Sequence, residues 1–282
     1  MNIRSTICLS ALLAAAIPVT SMAQDYAYHP ALSDNFTATV GAMKSSNSLK
    51  LSAEGILSDP GFGEDIDFGD SLGVSDSSTF LNAQLRWKFG RERKWSLWGQ
   101  YFSNNATGNA TLKENIEWDD NIFLEGTYAE AGVKLAVTRV FVGRSFYKNE
   151  QNDFGAGIGL HYLDLSAYIE GEVLVNDQTT GTRRVSTSAG APLPNIGAWY
   201  NFSPAKNWLL HSRADWISAN IGDYDGGLWN ASVGVNYQVL RHVGLDLSWQ
   251  YFNLHVDIDK TDWIGSVNMT YSGPVLSATF NW

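Results

Sequence analysis

The chain has 282 residues, with 19 Lys and Arg against 29 Asp and Glu, and its formal net charge is −10 at pH 7. So acidic a chain repels a phosphate backbone, and nucleic acid is not expected as a partner. Its single cysteine, Cys8, lies in the N-terminal apolar run, so thiol and disulfide chemistry are not expected after processing. We also expect no cofactor and no bound metal.

Residues 1–23 have the composition of a secretory signal peptide. Arg4 is their only charge, an apolar run follows it, and Ser21-Met22-Ala23 has the small-x-small pattern of a cleavage site. Residues 24–35 are then predicted to form a short periplasmic segment, and residues 36–282 to form a membrane domain.

Any membrane crossing is predicted to use strands. A spanning helix needs about 20 consecutive apolar residues. The best candidate after the signal peptide, residues 133–143, is interrupted by Lys134 and Arg139. Because lipid offers backbone groups no hydrogen-bond partners, strands can cross it only as a closed barrel.

Alternation of apolar and polar residues, typical of a strand with two different faces, recurs along the chain. In 81–89, 229–239 and 243–251 the odd-numbered residues are apolar, whereas in 276–282 the even-numbered ones are. A soluble sandwich explains one such segment, but poorly explains a series of them behind a signal peptide. The pattern predicts an all-β fold, a transmembrane antiparallel up-and-down β-barrel with one face in lipid and one in a polar lumen.

Short polar connections alternate with longer acidic or Gly/Asn-rich ones, as periplasmic turns and extracellular loops do in outer-membrane barrels. The predicted turns are 90–94, 147–153, 203–207 and 240–242, and the predicted loops are 59–78, 104–121, 176–189, 222–227 and 257–262. Four turns and five loops make about ten strands with both termini in the periplasm. Eight or twelve strands stay open, because residues 36–57 could hold one strand or a hairpin.

The last predicted strand contains a change of parity. Residues 267, 269 and 271 are apolar at odd positions, whereas residues 276–282 are apolar at even ones. A β-bulge near Gly273-Pro274 would reconcile the two parts, because an inserted residue changes the face to which a side chain points. A second change of parity lies between residues 162 and 163.

Aromatic residues make up 13% of the chain. Many lie near predicted strand ends, as in the interfacial girdle of a membrane barrel, although strand propensity alone is the alternative explanation. The residues that flank two predicted turns are Trp87, Phe89 and Trp95, and Tyr200, Phe202 and Trp208. By parity, Trp98 and Trp199 fall on the polar face and are expected to fill the lumen.

Several motifs together resemble those of small Gram-negative outer-membrane barrel proteins without an assigned activity. They are Ile66-Asp-Phe-Gly-Asp-Ser-Leu-Gly-Val74, Ala191-Pro-Leu-Pro194, Asp223-Tyr-Asp-Gly226, His242-Val-Gly-Leu245 and Gly273-Pro274 before an aromatic terminus. The resemblance covers most of the mature chain and implies that the barrel-assembly machinery recognises the last strand. Trp282 stands where such proteins usually end in Phe, and the resemblance supplies no catalytic residue. The assembly signal is then Leu276, Ala278, Phe280 and Trp282.

Charges of both signs fall on the predicted polar face. We expect a lumen network that fills the barrel, since a charge in a narrow barrel needs a partner or water. A proton or ion path is the functional alternative. The residues are Arg86, Lys88, Glu130, Lys134, His161, Asp164, His211, Arg213, Asp215 and Asp246.

The predicted loops are rich in carboxylates, chiefly Glu64, Asp65, Asp67, Asp70, Asp223 and Asp225. Such groups could share divalent cations with lipopolysaccharide phosphates, because hard cations prefer oxygen ligands. None matches the spacing of an EF-hand loop closely. The simpler interpretation is that these loops are solvated.

A hydrolase would need a histidine beside an acid. The nearest pairs in sequence are His211 with Asp215, His161 with Asp164, and His255 with Asp257. Only even spacing keeps two residues on one face of a strand, and no dedicated serine can be named. The sequence therefore favours a monomeric, non-enzymatic outer-membrane barrel in contact with lipid and lipopolysaccharide, serving envelope structure or surface interaction. A narrow channel for small solutes or ions is the alternative, and a hydrolase acting on lipid A, phospholipid or peptide is a less favoured one.

Overall fold

The computed structural model describes residues 27–51, 66–118, 121–175, 178–221, 224–260 and 263–282. In chain order its elements are helix α1 (Pro30–Ser33), strands β1 (Phe36–Leu51), β2 (Ile66–Asp67) and β3 (Ser77–Phe89), one 3-10 turn (Arg91–Arg93), and strands β4 (Trp95–Thr111), β5 (Ile116–Trp118), β6 (Asn121–Phe123), β7 (Tyr128–Lys148), β8 (Asn152–Val175), β9 (Gln178–Ala205), β10 (Trp208–Ile221), β11 (Tyr224–Gln238), β12 (Val243–Lys260) and β13 (Trp263–Asn281). No helix among these residues is long and apolar enough to cross a membrane.

The long strands form one closed antiparallel barrel. Each pairs with the next long strand along the chain, and β1 pairs with β13 to close the circle. Ten long strands lie in the described part of the chain, and the short strands β2, β5 and β6 add to the edges of the sheet. The predicted fold class and the strand number of about ten are confirmed.

The two ends of the barrel differ in their connections. At the lower end, which carries helix α1 and the C-terminal residue Trp282, residues 90–94, 149–151, 206–207 and 239–242 connect the strands. At the upper end the predicted loops are largely strand: β9 already begins at Gln178, β11 at Tyr224, and β12 continues to Lys260. Within the described residues of the predicted loops 176–189, 222–227 and 257–262, the chain is therefore strand and not loop. Since about ten tilted residues cross a bilayer, strands of 21 to 28 residues such as β7 and β9 extend well beyond it.

The polarity of the two strand faces is reversed between the lower and the upper barrel. On β13, Leu276 is 63% exposed and Trp282 also points outwards, whereas Tyr271 and Met269 are buried. Strands β8 and β12 repeat the change: Tyr162 and Tyr251 point outwards, and Leu163 and Phe252 point inwards. The lower barrel is thus apolar outside and polar inside, as lipid requires, while the upper barrel has the apolar interior of a water-soluble protein.

This inversion corrects the prediction of a β-bulge near Gly273-Pro274, and it also explains the change of parity between residues 162 and 163. The register of β12 with β13 is continuous from Val243↔Phe280 to Lys260↔Trp263, through Gly273. The register of β7 with β8 is likewise continuous past residues 162 and 163. The apolar face changes because the medium outside the barrel changes, not because a residue is inserted. Gly273 instead allows a close approach of strands, because a Cβ there would overlap the carbonyl oxygen of Lys44.

The upper barrel is divided into two walls. Pairing of β3 with β4 ends at Asn82↔Phe102, and pairing of β9 with β10 ends at Ile196↔Trp216. Above these points β4, β7, β8 and β9 form one wall, and the strands from β10 through β13 to β1 and β3 form the other.

The segment Ile66-Asp-Phe-Gly-Asp-Ser-Leu-Gly-Val74 fills the gap between β3 and β4. Val74 forms a β-bridge with Gly108 of β4, and Phe68 and Leu72 are fully buried. Beneath it, the upper core contains the stacked rings of Phe252 and Tyr271, 4.6 Å apart. We call residues 66–74 the upper cap.

The aromatic side chains mark the lower edge of the apolar belt. Trp87, Trp95, Tyr200 and Trp208 are exposed on the outer face, and the ring of Phe36 stacks between Trp87 and Trp282. As expected from parity, Trp98 and Trp199 are buried inside, 5.7 Å apart.

Candidate functional site

The lower barrel encloses a polar chamber that contains most of the predicted lumen charges. Arg86, Lys88, His161, Asp215 and Asp246 are buried. His211 and Arg213 line the same chamber, with side chains 23% and 10% exposed.

Three of the predicted lumen residues lie elsewhere. Glu130, Lys134 and Asp164 are exposed on the outer face of β7 and β8, in the upper barrel where water surrounds the walls. Their expected lumen position is therefore wrong, and the inversion of faces is the reason. Tyr168 donates to Glu130 at 2.9 Å on that outer surface.

Sequence reasoning missed two central residues, Arg139 and Asp153. Both are 1% exposed. Arg139 interrupts the apolar stretch 133–143, and a charge is costly on the lipid-facing side of a strand where it crosses the membrane. That signal could have placed Arg139 inside the barrel. Asp153 was hidden in a predicted turn.

One ionic cluster centres on Asp215. Arg139 lies across the barrel with its Nη2 2.7 Å from Asp215 Oδ1, and Arg213 Nε lies 3.1 Å from Oδ2. Asn195 donates to Oδ1 at 3.2 Å. The guanidinium of Arg213 also sits over Trp98 and Phe141, at 4.2 and 4.4 Å from the ring centroids. One carboxylate thus holds two cations, with aromatic faces sharing the charge.

A second cluster centres on Asp153, near the lower end. Lys88 Nζ lies 3.6 Å from Asp153 Oδ2, and Ser145 and the Trp199 indole donate to Oδ1 at 2.6 and 3.3 Å. The same lysine donates to the carbonyl oxygens of Ala31 and Leu32, at 2.5 and 3.0 Å. This cluster therefore ties the wall of the barrel to helix α1.

Helix α1 closes the lower end of the chamber. Arg86 donates to Ala31 O at 2.7 Å, and Arg93 donates to Ser33 O. The backbone N–H of His29 donates to Ser203 Oγ at 2.9 Å. Residues 29–33, part of the segment predicted to be a short periplasmic tail, lie inside the barrel mouth, and we call them the lower plug.

His29 is held as a neutral imidazole. Its Nδ1 accepts from the Ala31 N–H at 3.1 Å, so the proton is on Nε2, which lies 2.9 Å from Asn236 Oδ1. Burial lowers the pKa of His29 to about 4, and Arg86 and Lys88 nearby act in the same direction.

The chamber itself has a volume of about 140 Å³ and is lined by amides, hydroxyls and the charges above. His211 Nε2 and Asp246 Oδ2 pair across it at 2.7 Å, so His211 does not pair with Asp215 as the sequence suggested. A polar space of this size holds several water molecules. The described residues that line the chamber can hold water, and their ion pairs connect different strands.

The other two histidine–acid pairs do not build a catalytic centre. His161 is buried whereas Asp164 is exposed on the opposite face. His255 Nε2 lies 3.4 Å from Asp257 Oδ2, but both side chains are more than half exposed on the outer wall. His255 Nδ1 contacts the side-chain amide of Asn268, not a hydroxyl.

The carboxylate of Asp67 stabilises the turn at the start of the upper cap. Asp67 Oδ1 accepts from the backbone N–H groups of Gly69 and Asp70 at 3.0 and 3.1 Å, which fixes the turn. Asp225 is exposed, and Glu64, Asp65 and Asp223 lie outside the described residues. Within those residues, no group of three or more His, Cys, Asp and Glu side chains could hold a metal ion.

No protein-family model matches the chain. No curated protein sequence matches it either. Among solved structures, the outer membrane protease OmpT from Escherichia coli is similar, with a TM-score of 0.59 at 10% identity over 92% of this chain and 99% of that one. The transport unit of the autotransporter AIDA-I from Escherichia coli has a TM-score of 0.42 at 10% identity, covering 88% and 90% of the two chains. The Pseudomonas putida toluene transporter TodX has 0.34 at 9% identity, covering 90% and 92%.

The likeness to OmpT shows that this chain has the fold of an outer-membrane β-barrel. At 10% identity it shows the fold alone, and the other two scores are too low to carry an argument. A shared barrel does not decide whether a chain is an enzyme, because function depends on residues placed on a fold.

Proposed function

We propose that the protein is an integral outer-membrane barrel with a closed lumen, serving envelope structure or surface interaction rather than solute passage. The observation that carries this proposal is the double closure of the lumen. The lower plug occupies one end, and the upper cap with its apolar core occupies the other. Between them lies a chamber of about 140 Å³, far smaller than the channel of a general porin.

The outer walls support a role at the cell surface. Strands β7, β8 and β9 have 21, 24 and 28 residues, so this wall protrudes beyond the membrane as a stiff, hydrogen-bonded sheet. Its outer face carries polar side chains such as Glu130, Lys134 and Arg184. A rigid polar wall suits contact with a surface partner or with the sugar layer of lipopolysaccharide.

The partners follow from this placement. Outer-membrane lipid covers the apolar belt, and the barrel-assembly machinery recognises the last strand, in which Leu276, Phe280 and Trp282 face outwards. The protein acts as a monomer.

Single-channel conductance in planar bilayers tests the closed lumen. The refolded wild type is expected to be silent. A variant lacking residues 24–34 is also expected to be silent, because the apolar core still blocks the upper end. Discrete conductance steps from the wild type would overturn the proposal.

The combined removal of residues 24–34 and 66–74, together with Phe252→Ala and Tyr271→Ala, is expected to admit ions, because it opens the lower mouth, the upper cap and the stacked rings beneath the cap. Circular dichroism confirms the strand content of each variant. A gel band that migrates more slowly after heating than before it confirms that each variant is a folded barrel. Lys134→Gln, an exposed change on the outer wall, is the matched control and stays silent. If the combined variant folds and remains silent, then the two closures named here are not what blocks the lumen.

A further inference from the structure

Arg144 is a cation on the lipid-facing side of the barrel. It lies on β7 between Val142 and Phe146, which are 39% and 67% exposed on the same outer face. Its guanidinium sits 5.9 Å from the ring centroid of Trp95, another exposed residue. Among the described residues Arg144 has no ion pair. A guanidinium at the edge of lipid requires an anion or water as its partner.

The turn between β3 and β4 brings further positive charge to this place. The N–H of Ser145 donates to the carbonyl oxygen of Lys94 at 2.7 Å, which fixes the turn beside Arg144. Arg91, Glu92, Lys94, Trp95 and Arg144 together line a surface pocket of about 270 Å³. Glu92 is paired with Lys94 at 2.5 Å, so its carboxylate does not balance the two arginines.

The height of the pocket matches a lipid headgroup. Trp95 is the first residue of β4 and pairs with Arg144 in the register, at the level of the lower aromatic girdle. This is the end with the short turns, helix α1 and Trp282, which is the periplasmic end of an outer-membrane barrel. Side chains above the pocket contact acyl chains, and the pocket itself lies where lipid phosphates lie.

Charge is distributed unequally between the two ends of the protein. The lower connections and the adjoining strand end contain Arg91, Arg93, Lys94, Lys148, Lys206 and Arg241 against Glu92 and Glu150. The upper segments are rich in Asp and Glu. Basic side chains at the periplasmic surface attract anionic phospholipids, by about fivefold in binding for each charge.

We propose that Arg144, with Arg91, binds the phosphate of an anionic phospholipid in the periplasmic leaflet. The planar guanidinium of Arg144 donates two hydrogen bonds to phosphate oxygens. Trp95 packs beside the glycerol region, and Val142 and Phe146 contact the acyl chains. Since these apolar contacts belong to the site, the ligand is a lipid and not free phosphate. The inference rests on membrane insertion, which the proposed function includes.

Native mass spectrometry of the refolded full-length protein in detergent, titrated with phosphatidylglycerol or phosphatidylcholine, tests the site. The first phosphatidylglycerol is expected to bind at least about fivefold more tightly than phosphatidylcholine. Arg144→Gln and Arg91→Gln are each expected to weaken phosphatidylglycerol binding by about fivefold. Arg144→Lys is expected to retain part of the preference, because it keeps the charge and loses the paired donors.

Arg184→Gln is the matched control. Arg184 also lies over an aromatic ring, 3.6 Å from the Tyr168 centroid, but on the upper wall. Its loss should leave the lipid preference unchanged. An equal preference for both lipids in the wild type, or an unchanged preference in Arg144→Gln, would overturn the proposal. So would displacement of the lipid by inorganic phosphate at comparable concentration, which would mark a site for free phosphate.

A protease-protection assay in vesicles separates this failure from a failure of the proposed function. If the barrel is protected while lipid selectivity is absent, only the headgroup site is wrong. If the barrel is digested, its membrane placement is wrong as well.

Discussion

Arg139 on β7 and Asp215 on β10 form an ion pair of 2.7 Å across the lumen, although β8 and β9 separate their strands. Both side chains are almost completely buried. Arg213 shares the same carboxylate. Asp215 therefore connects strands of the lower barrel that do not pair with each other.

Asp215→Asn should destabilise the barrel strongly. The change keeps the shape but leaves two buried cations without their carboxylate, at a cost of about 3–5 kcal/mol. Urea-induced unfolding in vesicles, followed by tryptophan fluorescence, measures it. Asp164→Asn, the same change at an exposed position, should have little effect. Equal unfolding midpoints for the two variants would contradict a structural role for the cluster.

The lower plug should weaken in acid through His29. The pKa of His29 is about 4 in the folded protein, against 6.5 in the unfolded chain. Between these two pH values only the unfolded chain binds the proton. The stabilisation by His29 is therefore complete above pH 6.5, falls as the pH falls towards 4, and is constant below that. The difference in unfolding free energy between the wild type and His29→Gln, measured over this range, should shrink accordingly.

Ser203→Ala is the control for the plug. It removes the hydrogen bond to the His29 N–H without changing a titratable group. Its difference from the wild type should stay constant between pH 6.5 and 4. A His29→Gln difference that also stays constant would show that proton exclusion from His29 does not stabilise the plug.

The inversion of faces on β13 predicts an uneven response to lysine. Leu276→Lys places a charge in lipid and should cost about 2–4 kcal/mol if it lies near the bilayer midplane. Met269→Lys buries a charge in the upper core and should be at least as costly. Thr270→Lys points into water and should cost less than about 1 kcal/mol. If a bulge at Gly273-Pro274 existed, Thr270 would point inwards and the last two results would be exchanged.

Gly73 should be essential to the upper cap. Its φ is +63°, and a Cβ there would lie 2.6 Å from the Asn109 carbonyl oxygen. Gly73→Ala should therefore incur about 1–2 kcal/mol of backbone strain and an additional clash. Cleavage at Asp67 and Asp70 by a protease specific for acidic residues, added outside vesicles, should become faster.

Gly126→Ala is the control for backbone strain at a positive-φ glycine outside the upper cap. Gly126 has a φ of +78° but no atom within 4 Å of an added Cβ, so this variant has the strain without the clash. In Gly126→Ala the upper cap should be cleaved at the wild-type rate. Equal protection of the cap in Gly73→Ala would mean that the contact with β4 does not hold it.

The alternation of apolar and polar residues was sufficient to predict the barrel, its approximate strand number and the inward positions of Trp98 and Trp199. Lipid accepts only apolar side chains, so every second residue of a crossing must be apolar, and that constraint is local and visible as parity. The positions of the short lower turns followed from the same pattern.

The medium that each strand face contacts became clear only from the folded barrel. Alternation shows that the two faces of a strand differ, but not whether the apolar one faces lipid or a core. Glu130, Lys134 and Asp164 were misplaced for this reason, and residues 267–271 suggested a bulge that is absent. The partners of Asp215, the insertion of α1 and the cap at the β3–β4 gap depend on strands far apart in the chain. Closure of the barrel brings these strands together. No local sequence pattern encodes contacts between residues so far apart in the chain.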